Sequence, residues 1–428
     1  MEQLKLLPLA AAVATTMMAL PAMANDADID ALTKRIQELE AKVVKIDYVD
    51  DQQPSVLTPE TKAPIGVVFS GYARYGAHYA DGDRRYVEVG TTGRSLGRLG
   101  NEANGGEFQL GRIFETDNGP IWNVGVMIDH WANDQWGSPG GVDLKKAFAG
   151  VTNVFESQPE MYFWGGRDFH QRPQQGINDY FWMSHDGQGG GFKNYNFGGA
   201  KLDFAVITKV DFGDGGSLGN DSGRYAFTSK LHSIDAGLGT LDFYANYGFA
   251  SDEAGNDLKD ETSWQVGAEL GLGDSNKVIA RYSDGADDSS FDLAGDVQAL
   301  YMSFEGSYNY GNPWSVDYLV SYKDVVGKDA AALNGKGERS EYAVIVRPMY
   351  SWNEVHSTWF EAGYAMEDRE NNDEVKGWKV TASQNISMGG MPWSRPMLRL
   401  YATVGDVEDT DNIKYDTLSL GAMFEAWW

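Results

Sequence analysis

Residues 417–428 read TLSLGAMFEAWW, and the fold turns on their parity. Successive side chains of a β-strand point to opposite faces. Leu418, Leu420, Ala422, Phe424, Ala426 and Trp428 then share one face, while Thr417, Ser419, Gly421, Met423, Glu425 and Trp427 share the other. The first face is apolar throughout, and the second is small, polar or charged. The two tryptophans that end the chain therefore meet different surroundings.

Working outward, the same period of two holds from Val67 onward. In SWQVGAELGLG, Trp264, Val266, Ala268, Leu270 and Leu272 alternate with Gln265, Gly267, Glu269 and Gly271. LDFYANYGFA sets Leu241, Phe243, Ala245, Tyr247 and Phe249 against Asp242, Tyr244, Asn246 and Gly248, and PMLRLYATV sets Leu398, Leu400, Ala402 and Val404 against Arg399, Tyr401 and Thr403. Clusters of Gly, Asp and Asn such as DGADDSSFDLAGD separate these runs, with no helical pattern between them. Alternating strands suit a soluble sandwich or propeller with an apolar inside, or a membrane barrel with an apolar outside. Runs near ten residues, aromatics toward the ends of the apolar faces and a secretory leader favour the barrel. At roughly 20 residues per strand and connection, the part after residue 64 makes on the order of 18 antiparallel strands, enough to enclose an aqueous channel. Trp428 is then expected to face lipid at the closing strand, and Trp427 the lumen.

The leader is MEQLKLLPLAAAVATTMMALPAMA, with Lys5, an apolar run from Leu6 to Leu20 and the small-x-small end Ala22-Met23-Ala24. It reads as a signal peptide over 1–24. Its apolar run is short for a bilayer helix and contains Pro8, and no other stretch approaches 18 apolar residues, so a membrane location requires a barrel. In 25–49, Ile29, Leu32, Ile36, Leu39, Val43 and Ile46 are spaced 3, 4, 3, 4, 3, an a/d seam. So short a helix is marginal alone; it either self-associates as a coiled coil or packs on its own barrel. Residues 50–64 carry three prolines and read as a linker, and 65–428 form the barrel domain.

Composition excludes much. A formal net charge of −27 argues against nucleic acid, whose binding rests on Lys and Arg. The absence of cysteine removes disulfides, thiol nucleophiles and Cys zinc sites. Two GxSxG matches, Gly93–Gly97 and Gly215–Gly219, lie in Gly-rich loops with no following helix, so neither makes a nucleophile elbow. No two of the six histidines stand at i, i+4, and DADIDA at 26–31 lacks the glycine and bidentate acid of a calcium loop. The sequence implies no enzyme, no catalytic residue, no metal and no cofactor.

What remains on luminal parities is aromatic and charged: Tyr72 and Arg74 in FSGYARYGAHY, Arg98 and Glu107 in RLGNEANGGEFQLG, and Arg172, Asp179 and Tyr180 in WGGRDFHQRPQQGINDYFW. Flat rings stack on the apolar faces of sugars, and charged groups exchange hydrogen bonds with hydroxyls. The same residues also suit a polar lining with no ligand, and composition does not separate the two.

VVFSGYAR, GRLGNE, NDQW, WGGRDFHQR, VRPMY, WSRP and the terminal WW resemble, in that order, the maltoporin family of carbohydrate-selective outer-membrane porins. The resemblance spans about 65–209 and 343–428. It implies a homotrimer of 18-stranded barrels in the bacterial outer membrane that passes malto-oligosaccharides along a spiral of aromatics. The heptads resemble the periplasmic extension of the family's sucrose-porin branch. Position by position, Tyr72, Trp136, Trp393 and Trp427 match the aromatic slide, Trp136 lying in a loop that in the family reaches a neighbouring subunit. Arg74, Arg98, Glu107, Lys145, Arg172, Asp179 and Tyr180 match the polar track. Three positions depart: Gly105 stands where a tyrosine is expected, Ser275 where a phenylalanine is, and Lys145 where an arginine is. The rivals are a general diffusion porin without sugar selectivity and a barrel hydrolase, which would need a Ser and a His meeting on the lumen wall.

Overall fold

The computed structural model describes residues 66–116, 119–132, 141–211, 219–255, 258–273, 275–309, 313–370 and 373–428. The leader, the heptad segment, the linker and Trp136 lie outside the described residues. The strands are β1 Val67–Asp81, β2 Gly105–Glu115, β3 Ile121–Trp131, β4 Gly141–Thr152, β5 Tyr162–Asp168, β6 Gln174–Gln175, β7 Tyr180–Phe181, β8 Gly187–Asn196, β9 Lys201–Asp211 and β10 Asn220–Asp235. They continue with β11 Thr240–Ala250, β12 Thr262–Leu272, β13 Asn276–Asp284, β14 Gln298–Asn309, β15 Trp314–Val326, β16 Arg339–Ser351, β17 His356–Arg369, β18 Glu374–Ser387, β19 Met397–Glu408 and β20 Lys414–Trp427. β6 and β7 form a small hairpin inside the loop 169–186. The other eighteen make one sheet, each antiparallel to its neighbour, and β20 returns to pair with β1. Closure leaves no sheet edge, the condition for strands to cross a bilayer.

The wall is turned inside out. On β20, Leu418, Leu420, Ala422 and Phe424 are exposed, while Thr417, Ser419, Met423 and Glu425 are buried. β19 repeats this, with Leu398, Leu400 and Val404 exposed and Arg399, Tyr401 and Thr403 buried. The same alternation makes Phe243 and Tyr247 outward on β11, and Trp264 and Val266 outward on β12. In water these apolar faces would be unstable; against lipid they are solvated. The seam follows the parity too. Tyr72 pairs with Trp427 on the luminal face, and Gly71 and Trp428 exchange backbone hydrogen bonds of 3.0 and 3.1 Å. Trp428 packs outward on Phe69 and Phe108, with ring centroids at 5.5 and 5.9 Å. A Cβ on Gly71 would lie 2.8 Å from Cζ2 of Trp428, so only glycine lets the terminal indole cross the seam.

The connections alternate in length. Turns such as 197–200, 236–239 and 352–355 are short, whereas 82–104, 169–186, 285–297 and 327–338 are long. Barrels of this kind turn short connections toward the periplasm and long ones outward, and residue 66 lies at the short-turn end. Three long loops fold back into the lumen. Val87, Val89 and Leu96 of loop 82–104 pack on Ala343, Ala365, Val375 and Val407 of the far wall. Trp182 and Met183 of loop 169–186 pack on Tyr244, Ile279 and Tyr301, and Phe291 of loop 285–297 on Tyr162, Trp164 and Ile207. Each fully buried Val, Leu or Phe side chain contributes about 1.5–3 kcal/mol, so the apolar core of this protein pins loops inside the barrel and narrows it.

Candidate functional site

The narrowest chemistry gathers beside the seam. Arg74 of β1 donates to Asp179 at 2.8 Å and to the Ala103 carbonyl at 3.0 Å. Glu425 of β20 is the hub: it accepts from Tyr72 Oη at 2.7 Å, Arg98 at 3.1 Å, Arg395 at 2.5 Å and Arg399 at 3.3 Å. Arg399 also holds Glu102 at 2.5 Å. Four arginines and three carboxylates thus interlock, with Arg74, Arg98, Arg395 and Arg399 against Glu102, Asp179 and Glu425, a local sum of one positive charge. Burial works against ionisation of the loop carboxyls, yet Arg399, Arg98 and Arg74 hold Glu102 below the usual carboxylate range. Arg74 and Arg98 do the same for Asp179 against its own burial. Charges so paired stay ionised in a desolvated wall.

Next to this network, Arg172 lies between the rings of Phe169 and Phe181, at 3.9 and 4.0 Å, and reaches Asp186 at 3.1 Å and, on β2, Glu107 at 3.7 Å. The guanidinium itself is held between the two aromatic faces, a cation–π sandwich that fixes where its charge sits. Lys145 is the extra residue of a β-bulge: Met127 pairs with Lys146, but Ile128 already pairs with Leu144. The bulge turns two consecutive lysines inward, Lys145 toward Asp129 at 3.6 Å and Asp143 at 3.5 Å, and Lys146 toward Asp168 at 3.1 Å.

Several expected site residues are therefore assembled, and others are placed differently. Arg74, Arg98 and Asp179 meet in one network, and Glu107 and Arg172 in a second. Tyr180 is buried, edge-on to Tyr301 at 5.2 Å, so it holds the loop and offers no face to the lumen. Tyr72 is only 9% exposed and spends its hydroxyl on Glu425. Trp427 is 43% exposed on the luminal parity, with the Arg395 guanidinium 4.7 Å from its ring. Trp393, in the loop 388–396 at the same end, is 61% exposed. Ser275 lies immediately before β13. Residue-by-residue reading missed Glu102, Lys146, Arg395, Arg399 and Glu425. Arg399 and Glu425 were on the polar parity of their runs; their importance comes from loop 82–104 folding onto them.

A Ser and a His do meet inside the barrel: His185 Nε2 lies 2.9 Å from Ser290 Oγ. The same Nε2 accepts the Ser290 backbone N–H at 3.0 Å, and both residues are fully buried. This pair ties loop 169–186 to loop 285–297 and reaches no solvent. Ser95 of the first GxSxG is likewise buried, accepting the Val89 N–H at 3.3 Å.

The LamB porin family model matches residues 67–428, the whole described barrel. The chain belongs to the LamB porin family. Its curated relatives include the maltoporin of Vibrio cholerae serotype O1 strain El Tor Inaba N16961, 30% identical over 406 residues, which cover 85% of this chain and 95% of that one. The maltoporin of the classical Ogawa strain O395 is 30% identical over the same length, covering 85% and 94%. Among solved structures the chain is similar to Pseudomonas aeruginosa OccK3, at 14% identity and a TM-score of 0.48, over 85% of this chain and 95% of that one. This LamB-family protein is a porin of the bacterial outer membrane, a channel and not an enzyme.

Proposed function

We propose that this porin passes oligosaccharides of the maltose and maltodextrin type by facilitated diffusion along a weak aromatic and polar track. The supporting observation is Trp427: among the luminal side chains of β20 it alone is well exposed, and it sits beside a guanidinium. A sugar ring stacks on that indole and on Trp393 and Trp136. Its hydroxyls exchange hydrogen bonds with Arg74, Arg98, Glu107, Lys145, Arg172 and Asp179 as it passes. Tyr72 and Tyr180 fix the charged groups and the loop from behind. Curated relatives carrying the name maltoporin point to the same class. Binding is weak by necessity, since a tightly held solute would not leave. The sugar gradient supplies the driving force.

Three copies assemble through their barrels in this reading. Segment 25–49, released from its leader at Asn25, then forms a periplasmic coiled coil at the short-turn mouth, where trimerisation supplies the local concentration that so short a helix lacks. The test is planar-bilayer recording. Maltose, maltotriose or sucrose added to a steady KCl current produces saturable, concentration-dependent block, and Trp393→Ala or Trp427→Ala weakens the block while KCl conductance persists. A current that no sugar blocks identifies a general diffusion porin, and block unchanged in both variants removes the slide.

A further inference from the structure

Gly105 stands where the family pattern places an aromatic, yet its place over the luminal wall is filled. Gly105 of β2 pairs directly with Trp131 of β3, in the register that puts Glu107 opposite Asp129 on the luminal face. The indole of Trp131 lies across the glycine: a Cβ built on residue 105 would meet Cε3 of the ring at 2.3 Å, the His130 carbonyl oxygen at 2.5 Å and Cδ2 of the ring at 2.6 Å. The ring is half-buried, its centroid 6.2 Å from that of Tyr72 at a 30° tilt and 5.0 Å from the Arg74 guanidinium carbon. Tyr72 itself is nearly closed off. Of the two neighbouring rings, Trp131 retains the surface.

We propose that Trp131 is the mid-channel stacking residue, its indole carried in from the next strand to the spot that residue 105 leaves empty; this rests on the sugar-channel reading above. The two positions work as a pair. A glycine at 105 is what lets the larger ring lie flat on the wall, and a side chain at 105 would push it out. Arg74, itself buried and held between Asp179 and the Trp131 face, backs the indole with a fixed guanidinium, so that what the site offers a pyranose ring is the apolar face of the indole. Tyr72 is then a positioning residue, packing against the Trp131 ring and fixing Glu425 through its hydroxyl.

The test uses the full-length porin in planar bilayers with maltotriose as probe. Trp131→Ala raises the half-blocking concentration about tenfold, the equivalent of ~1.4 kcal/mol. Trp131→Leu, which keeps volume but has no flat π face, gives the same loss. Gly105→Ala, whose Cβ would press on the Trp131 ring and on the His130 carbonyl oxygen, displaces the indole and weakens block in the same direction as Trp131→Ala. KCl conductance and heat-modifiable gel mobility report folding throughout. If Trp131→Leu or Trp131→Ala leaves block unchanged while Trp427→Ala weakens it, the assignment of Trp131 is overturned and the sugar channel stands. A parent channel with no block at all overturns the sugar channel itself.

Discussion

Replacing Glu425 by Gln tests whether the interlocked charges govern what passes. Glu425 accepts from three arginines and Tyr72 and is almost wholly buried. Removing its charge leaves Arg98 and Arg395 without their carboxylate, while Arg399 keeps Glu102. Breaking a buried pair of this kind costs ~3–5 kcal/mol of folding free energy. The local sum of charge rises by one. A cation passing ~7 Å away through water is disfavoured by a further ~0.6 kcal/mol, and an anion is favoured by as much. At 0.1 M salt, with a Debye length of about 10 Å, screening halves each term, so together these lower the potassium-to-chloride permeability ratio about threefold. Reversal potentials across a KCl gradient near 0.1 M read this shift directly, and at 1 M, where the Debye length is about 3 Å, it collapses. A folded Glu425→Gln channel with the parent reversal potential at 0.1 M would show that this network does not face the conduction path.

Three further outcomes follow from other parts of the structure. Burial, aided by Arg281, pushes His185 down to about 3 from an ordinary 6.5. The folded state therefore refuses a proton that the opened state accepts, so stability is full above pH 6.5 and falls as pH drops toward 3. Between pH 7 and 5 the unfolding free energy drops ~2 kcal/mol more in the parent than in His185→Gln, read from urea unfolding in micelles, and parallel pH profiles would refute the assignment. Val344 lies outward on β16 between the exposed Val320 and Tyr364, so Val344→Lys lowers stability in bilayers by ~2–4 kcal/mol, whereas Asp368→Lys near the long-loop end of β17 costs ~0–1 kcal/mol. Equal costs at the two sites would contradict a lipid-facing wall. Deleting Lys145 removes the bulge and restores straight β3–β4 pairing, with one inward lysine in place of two; the deletion shifts ion selectivity toward cations at 0.1 M KCl, and an unchanged reversal potential would place Lys145 away from the path.

Strand parity made the barrel legible, because lipid on one side and water on the other impose opposite demands on alternate residues. TLSLGAMFEAWW alone orients the closing strand, and its two tryptophans separate as the alternation requires, Trp428 on Phe69 and Phe108 and Trp427 on the luminal side. The site was legible only in part. Local sequence specifies which side chains face inward, but burial inside a barrel depends on loops that return from far along the chain. Tyr72 and Tyr180 have luminal or loop positions in sequence, and both are covered by partners far along the chain, Glu425 for one and Tyr301 for the other. Arg399 and Glu425 read as ordinary polar lining until loop 82–104 brings Arg98 and Glu102 onto them. The Lys145 bulge was hidden for a different reason: an extra residue shifts parity without leaving a mark in composition.

The charge balance follows the same division. A chain of net charge −27 suggests a lining hostile to anions, but among the described residues the buried side chains include eleven Lys or Arg and nine Asp or Glu. The acidic excess therefore resides outside the packed interior, and the interior is close to neutral with a slight positive lean. Near-neutrality built from paired ions differs from near-neutrality built from apolar groups: the paired charges hold one another in fixed positions, Glu425 with all four of its lone-pair sites taken by Tyr72, Arg98, Arg395 and Arg399. Such a wall gives a small ion of either sign little net field to hold it. The exposed indoles of Trp393 and Trp427 stand at the short-turn end, where the Arg395 guanidinium lies against Trp427.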